Sequence, residues 1–73
     1  MKARKMRDNI RLALASGGSM TADDIADHIR KSIDSEAKII TIYLTVRMMH
    51  YEGLLVKTGD QYQIKTKGTG LLG

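Results

Sequence analysis

The segment from Gly53 to Thr66 narrows the choice of fold more than any other part of the chain. Leu54-Leu55-Val56-Lys57-Thr58, then Gly59-Asp60, then Gln61-Tyr62-Gln63-Ile64-Lys65-Thr66 reads as two short strands joined by a tight turn. Glycine in the first place of a two-residue loop suits a type II′ hairpin, which pairs Val56 with Gln63. A loop one residue longer sets Leu54 and Val56 against Tyr62 and Ile64 and gathers the apolar side chains. Turn chemistry favours the first register and burial the second, so the sequence leaves both open. A lone hairpin is marginal in water, so the rest of the chain must cover one of its faces.

Upstream the pattern is helical. Ala3, Met6, Ile10, Ala13 and Leu14 mark a helix over residues 2–16 that Gly17-Gly18 stops, with Arg4, Arg7 and Arg11 on another face. Ser19-Met20 is a link or a stub of strand. Thr21 reads as an N-cap, with Asp24 three residues on as an aspartate form of the capping box. Asp23, Asp24 and Asp27 crowd the opening turns, where the helix dipole favours negative charge. Ala22, Ile25, Ala26, Ile29 and Ile33 form the apolar stripe of this second helix, which ends near Ser32 before an Ile33-Asp34-Ser35 turn.

Residues 36–52 satisfy two patterns. As a helix they stop at Gly53 and turn Ile39, Ile42, Val46 and Met49 to the core. As a strand, Ile40, Ile42, Leu44, Val46 and Met48 alternate with Thr41, Tyr43, Thr45 and Arg47. The β-branched run favours the strand locally. The length, without Gly or Pro, favours the helix.

The chain has 73 residues, enough for one core, with a single domain expected over residues 1–68 and a glycine-rich tail over 69–73. It has no cysteine, so oligomerisation is the remaining aid to a small core. The basic start, Met1-Lys2-Ala3-Arg4-Lys5, is followed by Arg7, Asp8, Asn9 and Arg11 rather than an apolar run, so neither a signal peptide nor a membrane span is expected. A cytoplasmic protein is the expectation. Twelve Lys and Arg against eight acids give a net charge of +4, which favours a polyanionic partner.

Tyr51-Glu52-Gly53-Leu54-Leu55-Val56, followed by Tyr62-Gln63-Ile64-Lys65-Thr66-Lys67-Gly68, resembles the close of winged helix-turn-helix domains in bacterial regulators. In that superfamily an acidic residue ends the third helix before Gly-Leu-Val or Gly-Leu-Ile, and a Tyr-x-Leu-Thr-x-x-Gly strand returns. Here Ile64 takes the leucine place and Lys65 intervenes before Thr66. The resemblance implies an α+β fold: a three-helix helix-turn-helix core followed by a two-stranded β-hairpin wing. It further implies a transcriptional regulator whose third helix enters the major groove of double-stranded DNA. Carried over by position, Lys38, Thr41, Thr45 and Arg47 would face bases, with Arg47 able to meet guanine bidentately. Lys57 and Lys65 on the wing, with Arg4, Arg7 and Arg11 on the first helix, would meet phosphates.

The third helix departs from that family in one respect. Eight of the eleven residues from Ile39 to Met49 are apolar, and Ile40, Tyr43, Leu44 and Met48 cannot all fit a core this small. An apolar patch left outside implies a partner. A homodimer seam is one answer, and a protein-interaction module in place of a DNA binder is the alternative. Rival chemistry finds little footing. Asp23, Asp24 and Asp27 read as helix-start acids, and His28 and His50 lack the spacing of metal ligands. Gly68-x-Gly70 precedes no helix and is no phosphate loop. No nucleophile–base arrangement, cofactor motif or small-molecule site stands out, so the sequence points away from an enzyme.

Overall fold

A computed structural model describes residues 5–65. Three helices, α1 (Met6–Gly17), α2 (Ala22–His28) and α3 (Ile39–Tyr51), pack against a three-stranded antiparallel sheet, an α+β arrangement. The strands are β1 (Met20–Thr21), β2 (Leu55–Thr58) and β3 (Gln61–Ile64), in the order β1-β3-β2. The expected two-stranded hairpin is therefore the larger part of a sheet that the two-residue β1 completes. Met20 pairs with Tyr62 and Thr21 with Gln61, and the Ser19 hydroxyl donates to Gln61 Oε1 at 3.0 Å.

Local signals explain most element ends. Gly18, at φ +80°, closes α1 with its N–H on the Leu14 carbonyl at 2.7 Å. Thr21 leaves β1 and caps α2, its hydroxyl accepting the Asp24 N–H at 3.1 Å. A π-helical turn over Ile29–Ile33 extends α2, and the Asp34 N–H reaches back to the Ile29 carbonyl. At the end of α3, Gly53 N–H meets the His50 carbonyl and Leu54 N–H the Met49 carbonyl. With Gly53 at φ +84°, this is the left-handed stop that releases the chain into β2.

One helix start, that of α3, lies later than the periodicity suggests. The described part of the first helix begins at Met6, after Lys5 in an extended conformation, and residues 2–4 of the expected helix, Arg4 among them, lie outside the described residues. The third begins at Ile39 rather than residue 36, because Asp34 takes the intervening backbone. Its carboxylate accepts the Glu36 N–H at 3.0 Å and its carbonyl the Ala37 N–H at 3.1 Å. Lys38 is consequently the extended N-cap residue and not part of the helix. Residues 66–73, including the expected tail, also lie outside the described residues.

The core joins all three helices to the sheet: Ile10 and Leu14 of α1, Ile25 of α2, Ile29 of the π-helical turn, Ile42, Val46 and Met49 of α3, and Leu55 and Tyr62 of the hairpin. Ile39, expected inside, is 43% exposed, since it stands in the first turn at the edge of the buried face. The hairpin takes the two-residue turn: Val56 pairs with Gln63 and Thr58 with Gln61. Gly59 is at φ +65° while Asp60 keeps negative φ, as a type II′ turn requires. Burial and turn chemistry agree after all, because Leu55 rather than Leu54 points inward, opposite Ile64. Leu54 is only half-buried. Among the described residues no helix is long and apolar enough to cross a membrane.

Candidate nucleic-acid interface

α3 carries two opposed apolar faces. Ile42, Val46 and Met49 are fully buried. Ile40, Leu44, Met48 and Tyr51 lie outward, exposed by 61, 51, 52 and 75%. Their spacing of four, four and three residues confines them to an arc of roughly 80° at 3.6 residues per turn. The face expected to meet bases is thus mostly hydrocarbon. Of the expected base readers, Thr41 is exposed beside the stripe, whereas the Thr45 hydroxyl donates to the Thr41 carbonyl at 2.7 Å. Lys38 is exposed ahead of the helix.

Tyr43 does not belong to the outward stripe. It is half-buried, and its hydroxyl donates to Asp23 Oδ1 at the start of α2. That bond raises the phenol's pKa above its ordinary value, because losing the proton would leave two anions together. Nothing in the local pattern signals this cross-helix bond. It also puts a carboxylate beside the first turns of α3, where a groove-reading helix would approach phosphates. Asp23 and Asp27, with Arg30 and Lys31, line a cleft of about 460 Å³ between α2 and α3. Lys31 lies 3.3 Å from Asp27.

The C-terminal half of α3 is different. Arg47 is exposed, and its guanidinium lies beside the Tyr51 hydroxyl, which raises its pKa further, with Tyr62 adding a weaker pull. Across from it, Lys57 extends from β2 with its Nζ 5.5 Å from the centre of the Tyr62 ring. This is cation–π range and leaves the ammonium at the rim. Tyr62 also meets the His50 ring edge-on at 5.8 Å, which fixes the hairpin against α3. α3 and the hairpin thus each present one exposed cation, with Tyr62 tying the two elements together. Asp60 and Asp23 share a shallow cleft with Lys57 and limit the positive field on that side.

The remaining expected phosphate contacts are scattered. Arg7 is not a free cation: it makes a two-pronged pair with Glu52, at 2.6 and 2.8 Å, that ties α1 to the end of α3. The bond holds the Glu52 carboxyl below its usual pKa and the arginine above its own. Arg11 lies toward β3, lining a cleft with Asp8, Leu12 and Ile64. Lys65 follows β3 with its N–H on the Leu54 carbonyl, at the base of the hairpin and away from Lys57. Arg4 lies outside the described residues.

Asn9 is another residue that periodicity missed. It is 2% exposed on α1, and its Oδ1 has no hydrogen-bond partner.

No family model, curated protein or solved structure matches the chain.

Proposed function

We propose that this is a winged-helix DNA-binding protein, with a regulatory role in transcription, that holds the duplex through phosphate contacts from the flank of α3 and from the hairpin. The observation that carries the reading is the pair of exposed cations on α3 and the hairpin, Arg47 and Lys57, the latter over the Tyr62 ring that packs on His50 of α3, with neither cation in an ion pair among the described residues. The element order, three helices and then a hairpin entered through Gly53, agrees with the resemblance seen in the sequence. Net charge supports it less than its value suggests. Residues 5–65 hold nine Lys and Arg against eight acids, and Lys2, Arg4 and Lys67 fall outside them.

This charge distribution makes the contact shallow and weakly discriminating, because base edges are read by polar groups that the outward face of α3 mostly lacks. Each phosphate neutralised on B-DNA contributes a slope of about −0.9 to log K against log salt. Fluorescence anisotropy on duplex DNA at several salt concentrations tests the reading. Arg47→Ala and Lys57→Ala are each expected to weaken specific and random DNA alike and to flatten the salt slope by about 1 for each copy of the chain on the duplex. An absence of DNA binding at low salt refutes the proposal. A second reading, a protein-interaction module, is favoured by the exposed Ile40, Leu44, Met48 and Tyr51 stripe, and a folded chain that ignores DNA but forms a complex would support it.

A further inference from the structure

We propose that a second copy of this chain covers the outward face of α3, with the two helices antiparallel, and that the DNA-holding surface is complete only in this dimer. The second clause rests on the DNA-binding reading above; the first does not.

The stripe has the form of half a helix–helix seam. Ile40, Leu44, Met48 and Tyr51 follow the four-four-three spacing that keeps one line of side chains facing a neighbouring helix. At 1.5 Å per residue it runs for about 16 Å, most of the length of α3. With side chains of roughly 200 Å² each, the observed exposures leave on the order of 500 Å² per protomer. Two copies reach the threshold of about 1,000 Å² for a specific interface. No acidic residue interrupts the stripe, and its one flanking charge, Arg47, stands at the edge.

Symmetry favours the same chain as occupant. A two-fold interface needs a patch complementary to itself, and a straight apolar line on a helix meets that need. Antiparallel packing opposes the two helix dipoles. It also sets Leu44 of one copy against Met48 of the other and Ile40 against Tyr51, so each apolar side chain of the stripe meets another across the seam.

The same two-fold axis, normal to the plane of the paired helices, keeps each Arg47 on one side of the seam. Lys57 flanks that side on each hairpin. One protomer offers two cations on this side, Arg47 and Lys57, neither in an ion pair among the described residues, with Asp23 and Asp60 beside Lys57. The dimer doubles them on a single surface, where a duplex can engage both sets at once.

Sedimentation equilibrium of the full chain, without DNA, is expected to give the mass of two chains. Leu44→Asp and Met48→Lys, both at exposed positions, should each give a folded single chain by circular dichroism. Mixing these two variants should restore a dimer, since antiparallel packing brings the new carboxylate of the first variant against the new ammonium of the second. A parallel seam leaves both charges facing hydrocarbon and restores nothing. In anisotropy assays the parent's salt slope should be about twice that of Leu44→Asp, because twice as many phosphates are neutralised. A parent chain of single mass at its highest soluble concentration overturns the seam, and no recovery on mixing overturns its antiparallel form. Dimers that bind no DNA overturn the completed-surface clause and the reading beneath it, while the seam stands. DNA binding with equal slopes for parent and Leu44→Asp overturns the completed-surface clause alone.

Discussion

Asn9 offers a direct test of how this small core is held together. Its side chain is buried on α1 beside Ile10 and Ala13, and its Oδ1 accepts no hydrogen bond. A buried polar atom without a partner costs about 1–3 kcal/mol relative to its hydrated state in the unfolded chain. Asn9→Leu keeps the number of side-chain heavy atoms, so it removes that cost without opening a cavity. Leucine also favours the helix interior over asparagine by a few tenths of a kcal/mol. The expected gain is about 1–3 kcal/mol, and a domain of this size gains roughly 4–8 °C in Tm per kcal/mol. Thermal melts by far-UV circular dichroism should therefore rise on the order of 10 °C, at one fixed protein concentration so that association does not contribute. Asn9→Asp gives the opposite sign, since a buried carboxylate with no cation must ionise in place or take up a proton. A Tm for Asn9→Leu that is unchanged or lower would refute the reasoning, because the carbonyl would then be satisfied in solution.

Three further outcomes follow from the same packing. Met49→Ala, at a fully buried site, should cost about 2–5 kcal/mol in urea unfolding, the range for truncating a large core side chain. Gly53→Ala meets no neighbouring atom, yet should cost about 1–2 kcal/mol in the same assay, because φ +84° is strained for any residue with a Cβ. The Arg7–Glu52 pair predicts a pH dependence: Glu52 has a depressed folded-state pKa, so its contribution is present above the ordinary glutamate value of about 4.3 and fades as pH falls through the lower folded value. Glu52→Gln should flatten that part of the acid limb of a urea-midpoint profile, more visibly at low salt; an unchanged limb would show that the pair is too well solvated to matter.

How much of this was legible in the sequence depended on whether the signal was local. Thr21 capping α2, Gly53 ending α3 and Gly59 setting the hairpin turn all act through their own backbone within a few residues, and each could be read in advance. The missed features depend on residues far apart in the chain. β1 is strand only because Met20 and Thr21 meet Tyr62 and Gln61. Arg7, expected to face phosphates, is paired with Glu52, forty-five residues away, and Tyr43, expected in the apolar patch, bonds Asp23, twenty away. The start of α3 was misplaced for a smaller reason: the Asp34 side chain competes for backbone N–H groups, which apolar periodicity does not register.

The ambiguity of α3 has a physical origin that bears on what the helix does. Strand alternation and helical periodicity are separable only when one face of an element is polar. In α3 the inward line Ile42, Val46, Met49 and the outward line Ile40, Leu44, Met48 are both apolar, so the even-numbered residues satisfy a period of two as well. What blurred the secondary structure is thus the same excess of hydrocarbon that stands uncovered on the folded surface. A helix evolved only to enter a DNA groove would carry polar groups along its outward line and would have been easy to assign. A helix that satisfies a core on one side and, as proposed, a second chain on the other need not, and the proposed DNA contacts then fall to Arg47 at its flank and Lys57 on the hairpin.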